Sequence, residues 1–148
     1  MHSFRSDMAI VFEVPGEPRG KGRPRFNRHT GITYTDDETR SYEKKIMAYY
    51  RQQLKDFRWT DETFVSVYVT AVYPIPKSAT KSSIAAIKEG KILPKKKPDI
   101  DNVLKVVLDS LNGIAYKDDS QVVTVTGQKV YGEDPKLIIK MNGRQYDG

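Results

Sequence analysis

Five aspartates stand in one stretch of the chain, "KKKPDIDNVLKVVLDSLNGIAYKDDSQVV", residues 95–123, four of them in two close pairs. Asp99 and Asp101 flank a single isoleucine, Asp118 and Asp119 are adjacent, and Lys95, Lys96 and Lys97 stand directly upstream. Carboxylates held close together repel unless a proton or a cation neutralises them. An oxygen-only donor set suits a hard divalent ion such as Mg2+ or Mn2+. Beside a phosphate track, such an ion would activate water and polarise a phosphodiester. Lys105 would add positive charge where a phosphoryl transition state gathers negative charge.

Each residue also has a plainer reading. Asp101 can cap a helix, Asp99 follows Pro98 at a natural helix entry, and Asp118 and Asp119 suit a turn. Lys105 is spaced to pair with Asp101 or Asp109, each four residues away. In an extended entry, Asp99 and Asp101 would share one side of the backbone. A twelve-residue helix over 101–112 is roughly 18 Å long at 1.5 Å per residue. Asp118 and Asp119 therefore rejoin the first pair only if residues 113–117 double back.

The elements around these residues follow from periodicity. Residues 101–112 read as a helix closed by Gly113. Val103, Leu104, Val106, Val107, Leu108 and Leu111 cover most of its circumference, leaving Asn102, Lys105, Asp109 and Asn112 as a narrow polar stripe. Residues 9–14 and 63–73 alternate as strands, the first with Ile10, Phe12 and Val14 on one side, the second with Val65, Val67, Val69, Ala71 and Tyr73. Thr35 with Glu38 has the spacing of a capping box. It predicts a helix to about residue 56, with Tyr42, Ile46, Tyr49, Tyr50 and Leu54 as its core face. TGITYT predicts a short strand and residues 78–89 a short helix. VVTVTGQKVY and KLIIKM predict two strands joined by GEDP as a hairpin-like turn.

Composition bounds the partners. The 148 residues are 38% hydrophobic and 30% charged, suited to one globular domain over 1–148 with its own core. The net charge is +6. Residues 17–28 (EPRGKGRPRFNR) hold five basic residues and one acidic, and residues 77–97 hold seven lysines and one glutamate, so the rest of the chain is net negative. A positive excess confined to two segments is the footprint of a polyanion. Arg19, Lys21, Arg23, Arg25, Lys95, Lys96 and Lys97 are the candidate phosphate contacts. No cysteine is present, which excludes disulfides and thiolate metal sites. Two histidines, His2 and His29, are too few for a structural zinc site or a nucleophilic triad. No apolar run approaches the length of a membrane span, and the start MHSFRSDMAI lacks a signal-peptide core. GKG is too short for a phosphate-cradling loop with a following helix.

The order of motifs resembles the RusA family of Holliday junction resolvases. KPDIDNVLKVVLDSLNG followed by DDSQVV carries the resemblance, with GEPRGKGRPRF, YTDDETRSYE and YPIPKSATK upstream. The resemblance implies an α/β (α+β-like) fold, a single layer of mixed β-sheet packed against two main helices. It implies a homodimer with one active site per subunit and a requirement for Mg2+ or Mn2+. The metal-binding aspartates would be Asp99, Asp101 and Asp119, with Asp118 less critical, and the catalytic lysine Lys105. The substrate would be a four-way junction, nicked symmetrically to leave 5′-phosphate and 3′-hydroxyl ends, in a cytoplasmic bacterial or phage setting. Ser110 stands where alanine is common, a small departure. The rivals are a non-catalytic protein that binds branched DNA and a less selective Mg2+-dependent or flap-cutting nuclease.

Overall fold

The computed structural model describes residues 4–146; His2 lies outside them. The chain runs β1 (Phe4–Pro15), β2 (Arg25–Phe26), β3 (Thr33–Tyr34), α1 (Asp37–Leu54), β4 (Phe64–Pro74), α2 (Lys81–Lys88), α3 (Ile100–Leu111), a 3-10 turn (Asp119–Gln121), β5 (Val122–Gly132) and β6 (Lys136–Tyr146). Four strands form one mixed sheet in the order β1–β6–β4–β5, and β2 pairs only with β3. β1 and β4 run antiparallel to β6, while β5 runs parallel to β4. This is the mixed α/β layer expected, with α2 as a third, short helix.

Alternation decides the core. Val65, Val67, Val69, Ala71 and Tyr73 of β4 are buried with Phe12 and Val14 of β1 and Leu137, Ile139 and Met141 of β6. α1 lays Tyr42, Ile46 and Tyr50 on this surface, and α3 adds Val103, Val106, Val107 and Leu111. α1 packs on β1 and α3 on β5, and the two helices touch each other. Phe12 and Tyr50 meet edge to face at 5.2 Å. The α1 tyrosines are therefore core, with Tyr49 and Leu54 packed at its margin. Ser110 is also buried, and its hydroxyl donates to the Val106 carbonyl at 2.6 Å, so the departure from alanine leaves no polar atom stranded.

Four expectations need correcting. β5 and β6 do not form a hairpin: β4 lies between them, and the connection Glu133–Asp134–Pro135 passes the end of β4. The short loop misleads because it need span only two strand spacings, about 10 Å. The cap of α1 is Asp36, not Thr35, with Asp36 Oδ1 accepting from the Thr39 amide at 2.7 Å, and the helix ends at Leu54 with Lys55 at φ 59°. α3 starts at Ile100, so Asp99 is its N-cap and Asp101 lies in the first turn. Asp99 and Asp101 therefore do not share the side of an extended strand, because only Asp99 is extended.

Candidate active site

The loop after β1 threads between the starts of α1 and α3. Lys21 N donates to the Asn102 carbonyl at 3.0 Å, and Gly22 N donates to Thr39 Oγ1 at 2.9 Å. Two glycines make this approach possible. A Cβ on Gly20 would stand 2.8 Å from the Cβ of Asn102, and one on Gly22 would overlap the Asp36 carboxylate and the Thr39 hydroxyl. The RGKGR stretch is thus a backbone-packing device, where its spacing alone pointed only to an irregular basic loop.

This threading opens a cleft of about 520 Å³ lined by residues 18–23, by Asp36, Glu38 and Thr39 of the α1 entry, and by Lys97, Pro98, Asp99 and Asn102. Arg19, Arg23 and Lys97 are exposed along it. Arg25 lies beyond, close enough for its charge to act on Asp36. Lys95 and Lys96 are exposed outside the lining. Lys21 is employed differently from the others. Its Nζ lies 3.2 Å from both Glu43 and Asp109, and its side chain is only 17% exposed. Burial pulls its pKa down, but hydrogen bonds to Asp109 and Glu43 outweigh that and hold it above the usual lysine value.

The entry to α3 is fixed from the sheet. The Lys97–Pro98 peptide is cis. Tyr73 at the end of β4 donates its hydroxyl to the Pro98 carbonyl at 2.6 Å. Lys129 of β5 donates to the Lys96 carbonyl at 2.6 Å and sits 5.1 Å above the Tyr73 ring. Burial, then the Asp99 charge, pushes the Tyr73 phenol up to about 12. Asp99 itself is exposed and makes no capping hydrogen bond, so its carboxylate is not consumed by the helix it starts.

At the other end of α3 the chain turns back, with Tyr116 bridged to Asn112. Gly113 N donates to the Tyr116 carbonyl, and buried Tyr116 donates its hydroxyl to the Leu108 carbonyl at 3.0 Å. Burial, then the charges of Asp119, Asp109 and Asp118, raises the Tyr116 phenol. Asp118 is occupied locally: it caps the 3-10 turn through Ser120 N in a capping box with Gln121. Hydrogen bonds from Ser120 lower its pKa. Gln121 Nε2 in turn reaches the carbonyls of Thr60 and Thr63. Asp119 accepts no side-chain hydrogen bond from a described residue.

The two acidic pairs therefore lie toward opposite ends of α3: Asp99 by Tyr73 with Asp101 in the first turn, Asp118 and Asp119 by Tyr116. Among the described residues no group of three or more His, Asp or Glu side chains stands together as a metal site. Residues 113–117 do reverse, but they bring Tyr116 back only beside Asn112, its hydroxyl reaching the Leu108 carbonyl. Lys105 is exposed and forms no ion pair with a described residue; Asp109, its expected partner, pairs with Lys21 instead. Sequence reasoning missed Tyr73, Thr39 and Lys129, whose roles depend on which strand ends meet the α3 entry. It had one usable signal for Gly20 and Gly22, two glycines spaced by one residue in a basic loop.

A family model described as "Endodeoxyribonuclease RusA" matches residues 15–142. The chain belongs to the RusA family. The match begins at the last residue of β1 and ends inside β6, so it takes in the threaded loop, α1, β4, α3 and both acidic pairs. A curated relative, Uncharacterized protein YqaN of Bacillus subtilis (strain 168), is 38% identical over 135 residues, covering 86% of this chain and 92% of that protein. RusA family proteins are endodeoxyribonucleases, which places the basic cleft and the carboxylates in a DNA-cutting lineage. No helix among the described residues is long and apolar enough to cross a membrane.

Proposed function

We propose that the chain is a Mg2+-dependent, structure-selective endodeoxyribonuclease that resolves Holliday junctions by paired, symmetric nicks in recombination and repair. One observation carries the reading: the cleft sets Arg19, Arg23 and Lys97 around an exposed N-cap carboxylate, Asp99, that caps nothing. A residue with no structural employment, placed on a phosphate-attracting surface, is better explained by chemistry than by folding.

The donor set suits Mg2+, with Mn2+ as substitute, because every candidate ligand atom is a carboxylate oxygen. Asp99 and Asp101 would provide the first contacts. Asp119 would join them in the assembled complex of protein and DNA, since one chain alone keeps it toward the far end of α3. When bound, the ion supplies Lewis-acid activation of the scissile phosphate and of the attacking water. Lys105, on the polar stripe of α3 with Asn102, would offer its exposed ammonium to the charge that develops on the phosphate. Arg19, Arg23, Arg25, Lys95, Lys96 and Lys97 would hold backbone phosphates, which fixes position without reading sequence. Lys21 would act through the loop it anchors.

A homodimer is part of this proposal, as two symmetric nicks need two sites. β5 supports it as a sheet-edge strand with Val123 and Val125 exposed, a surface open to a second copy. β4, alternating as it is, lies inside the sheet and is core. A cytoplasmic bacterial or phage setting fits the activity and the Bacillus relative.

The deciding experiment incubates the protein with a synthetic four-way junction and a matched linear duplex, with and without Mg2+. Paired nicks on the junction alone, only with Mg2+, support the reading. Binding without cutting favours a branched-DNA-binding protein, and equal cutting of both substrates favours a less selective nuclease.

A further inference from the structure

β2 and β3 pair only with each other, Arg25 opposite Tyr34 and Phe26 opposite Thr33. Every residue from Arg23 to Tyr34 except Asn27 is exposed, so this ribbon stands off the body. It is nevertheless built. Asn27 Oδ1 accepts from the amides of His29 at 2.8 Å and Thr30 at 3.1 Å. Asn27 N donates to the Ile32 carbonyl at 2.9 Å, and Gly31 N donates to the Asn27 carbonyl at 2.8 Å. Gly31 takes the left-handed φ of 71° that this closure needs.

Its composition opposes its exposure. Phe26 is 62% and Ile32 61% exposed, the highest among the described large apolar side chains, and Tyr34 is 42% exposed. No acidic residue occurs between Glu17 and Asp36, a span holding Arg19, Lys21, Arg23, Arg25 and Arg28. Bare rings among arginines suit a partner that is both polyanionic and flat-faced, which is nucleic acid with accessible bases. Intact duplex hides those faces in its stack, whereas a branch point offers them. The base of the ribbon is continuous with the cleft through Arg23. Alternation puts Phe26 and Tyr34 on opposite faces of the ribbon, so it carries an aromatic ring on each flank.

We propose that this ribbon is a wedge that inserts Phe26 and Tyr34 against unstacked bases at the branch point, while Arg25 and Arg28 hold the flanking phosphates. The wedge makes the cleft selective for branched over linear DNA. It rests on the nuclease reading above and adds the element that recognises the branch.

The test uses the full-length chain without divalent metal. The probes are a four-way junction carrying 2-aminopurine at the branch and a linear duplex carrying it in the same sequence. The wild-type protein is expected to raise fluorescence on the junction only. The Phe26→Ala/Tyr34→Ala variant is expected to bind the duplex within about twofold of wild type, to lose most of the junction signal, and to lose about tenfold or more of its junction preference. Phe26→Trp is expected to keep both, and Arg25→Ala/Arg28→Ala to weaken both substrates alike. A double variant that retains signal and preference overturns the wedge. So does one whose sedimentation shows a changed oligomeric state, which would make the ribbon a protein–protein contact. A wild-type protein that cuts junctions without a fluorescence rise sinks the wedge alone. One that neither prefers nor cuts junctions sinks the nuclease reading and the wedge together.

Discussion

Lys21 Nζ and the Asp109 carboxylate stand 3.2 Å apart, joining the loop after β1 to the far half of α3. Glu43 of α1 meets the same ammonium at the same distance. One lysine thus clamps a loop and two helices. Lys21→Met is expected to lower unfolding stability in urea by about 1–2 kcal/mol, because two part-buried carboxylates lose their partner. It should leave the salt dependence of DNA binding unchanged. Arg19→Ala and Arg23→Ala should do the reverse, each reducing the slope of log K against log salt by about 0.9 with little effect on stability. Equal slope changes for Lys21 and Arg19 would contradict this division.

Asp99 and Asp118 should separate chemistry from capping. Asp99→Asn and Asp101→Asn are expected to reduce junction cutting in Mg2+ by about a hundredfold or more, with junction binding preserved or tightened. Asp99→Asn should change stability by less than about 0.5 kcal/mol, since no capping bond is lost. Asp118→Ala, which removes a formed cap, is expected to lower the melting temperature and to keep much of the activity. Normal cutting by Asp101→Asn would defeat the metal-site assignment.

The Tyr73 hydroxyl positions Pro98 and, through it, Asp99. Tyr73→Phe is expected to cost about 1–2 kcal/mol by leaving the Pro98 carbonyl without this donor. Its cutting rate should fall while DNA affinity holds, and thermal melting with single-turnover kinetics would check both.

Gly22→Ala is expected to destabilise by about 1–3 kcal/mol, because the added methyl meets Asp36 and Thr39. It should also weaken DNA binding by displacing Arg19 and Arg23. Gly31→Ala meets open space, so any effect there comes from its left-handed φ alone.

Alkaline pH should unfold the protein by a specific route. Burial raises the phenols of Tyr42, Tyr50 and Tyr73 to about 12. A raised folded pKa means that the folded state holds protons the unfolded state releases. Stability is therefore complete below about pH 10 and declines from there toward pH 12, by up to about 1.4 kcal/mol per pH unit for each such group. Lys21 acts in the same sense, its folded pKa being raised. The Tyr42 hydroxyl is buried with no hydrogen-bond partner among the described residues. Denaturation followed by tyrosinate absorbance should show these phenols ionising only with unfolding. Tyr50→Phe should flatten the decline by one group.

The sequence by itself determined the elements and the chemical vocabulary. Alternation over 63–73 and the i, i+4 face of α1 name their core residues because burial selects side chains with the period of the backbone. KPDIDN, DDSQ and the two basic segments name the candidate ligands and phosphate contacts because few other employments gather such charges. Tertiary structure decided everything that joins distant positions. It put β4 between β5 and β6, which a three-residue connection could not reveal, since loop length fixes span and not strand order. It gave Lys21 to Asp109 and left Lys105 without an ion partner among the described residues, because the loop after β1 brings a second ammonium to Asp109. It kept Asp99 and Asp119 toward opposite ends of α3, because the reversal after Gly113 brings Tyr116 back only beside Asn112. Local patterns are set by local sterics and burial; which charged groups meet is set by how the chain closes on itself.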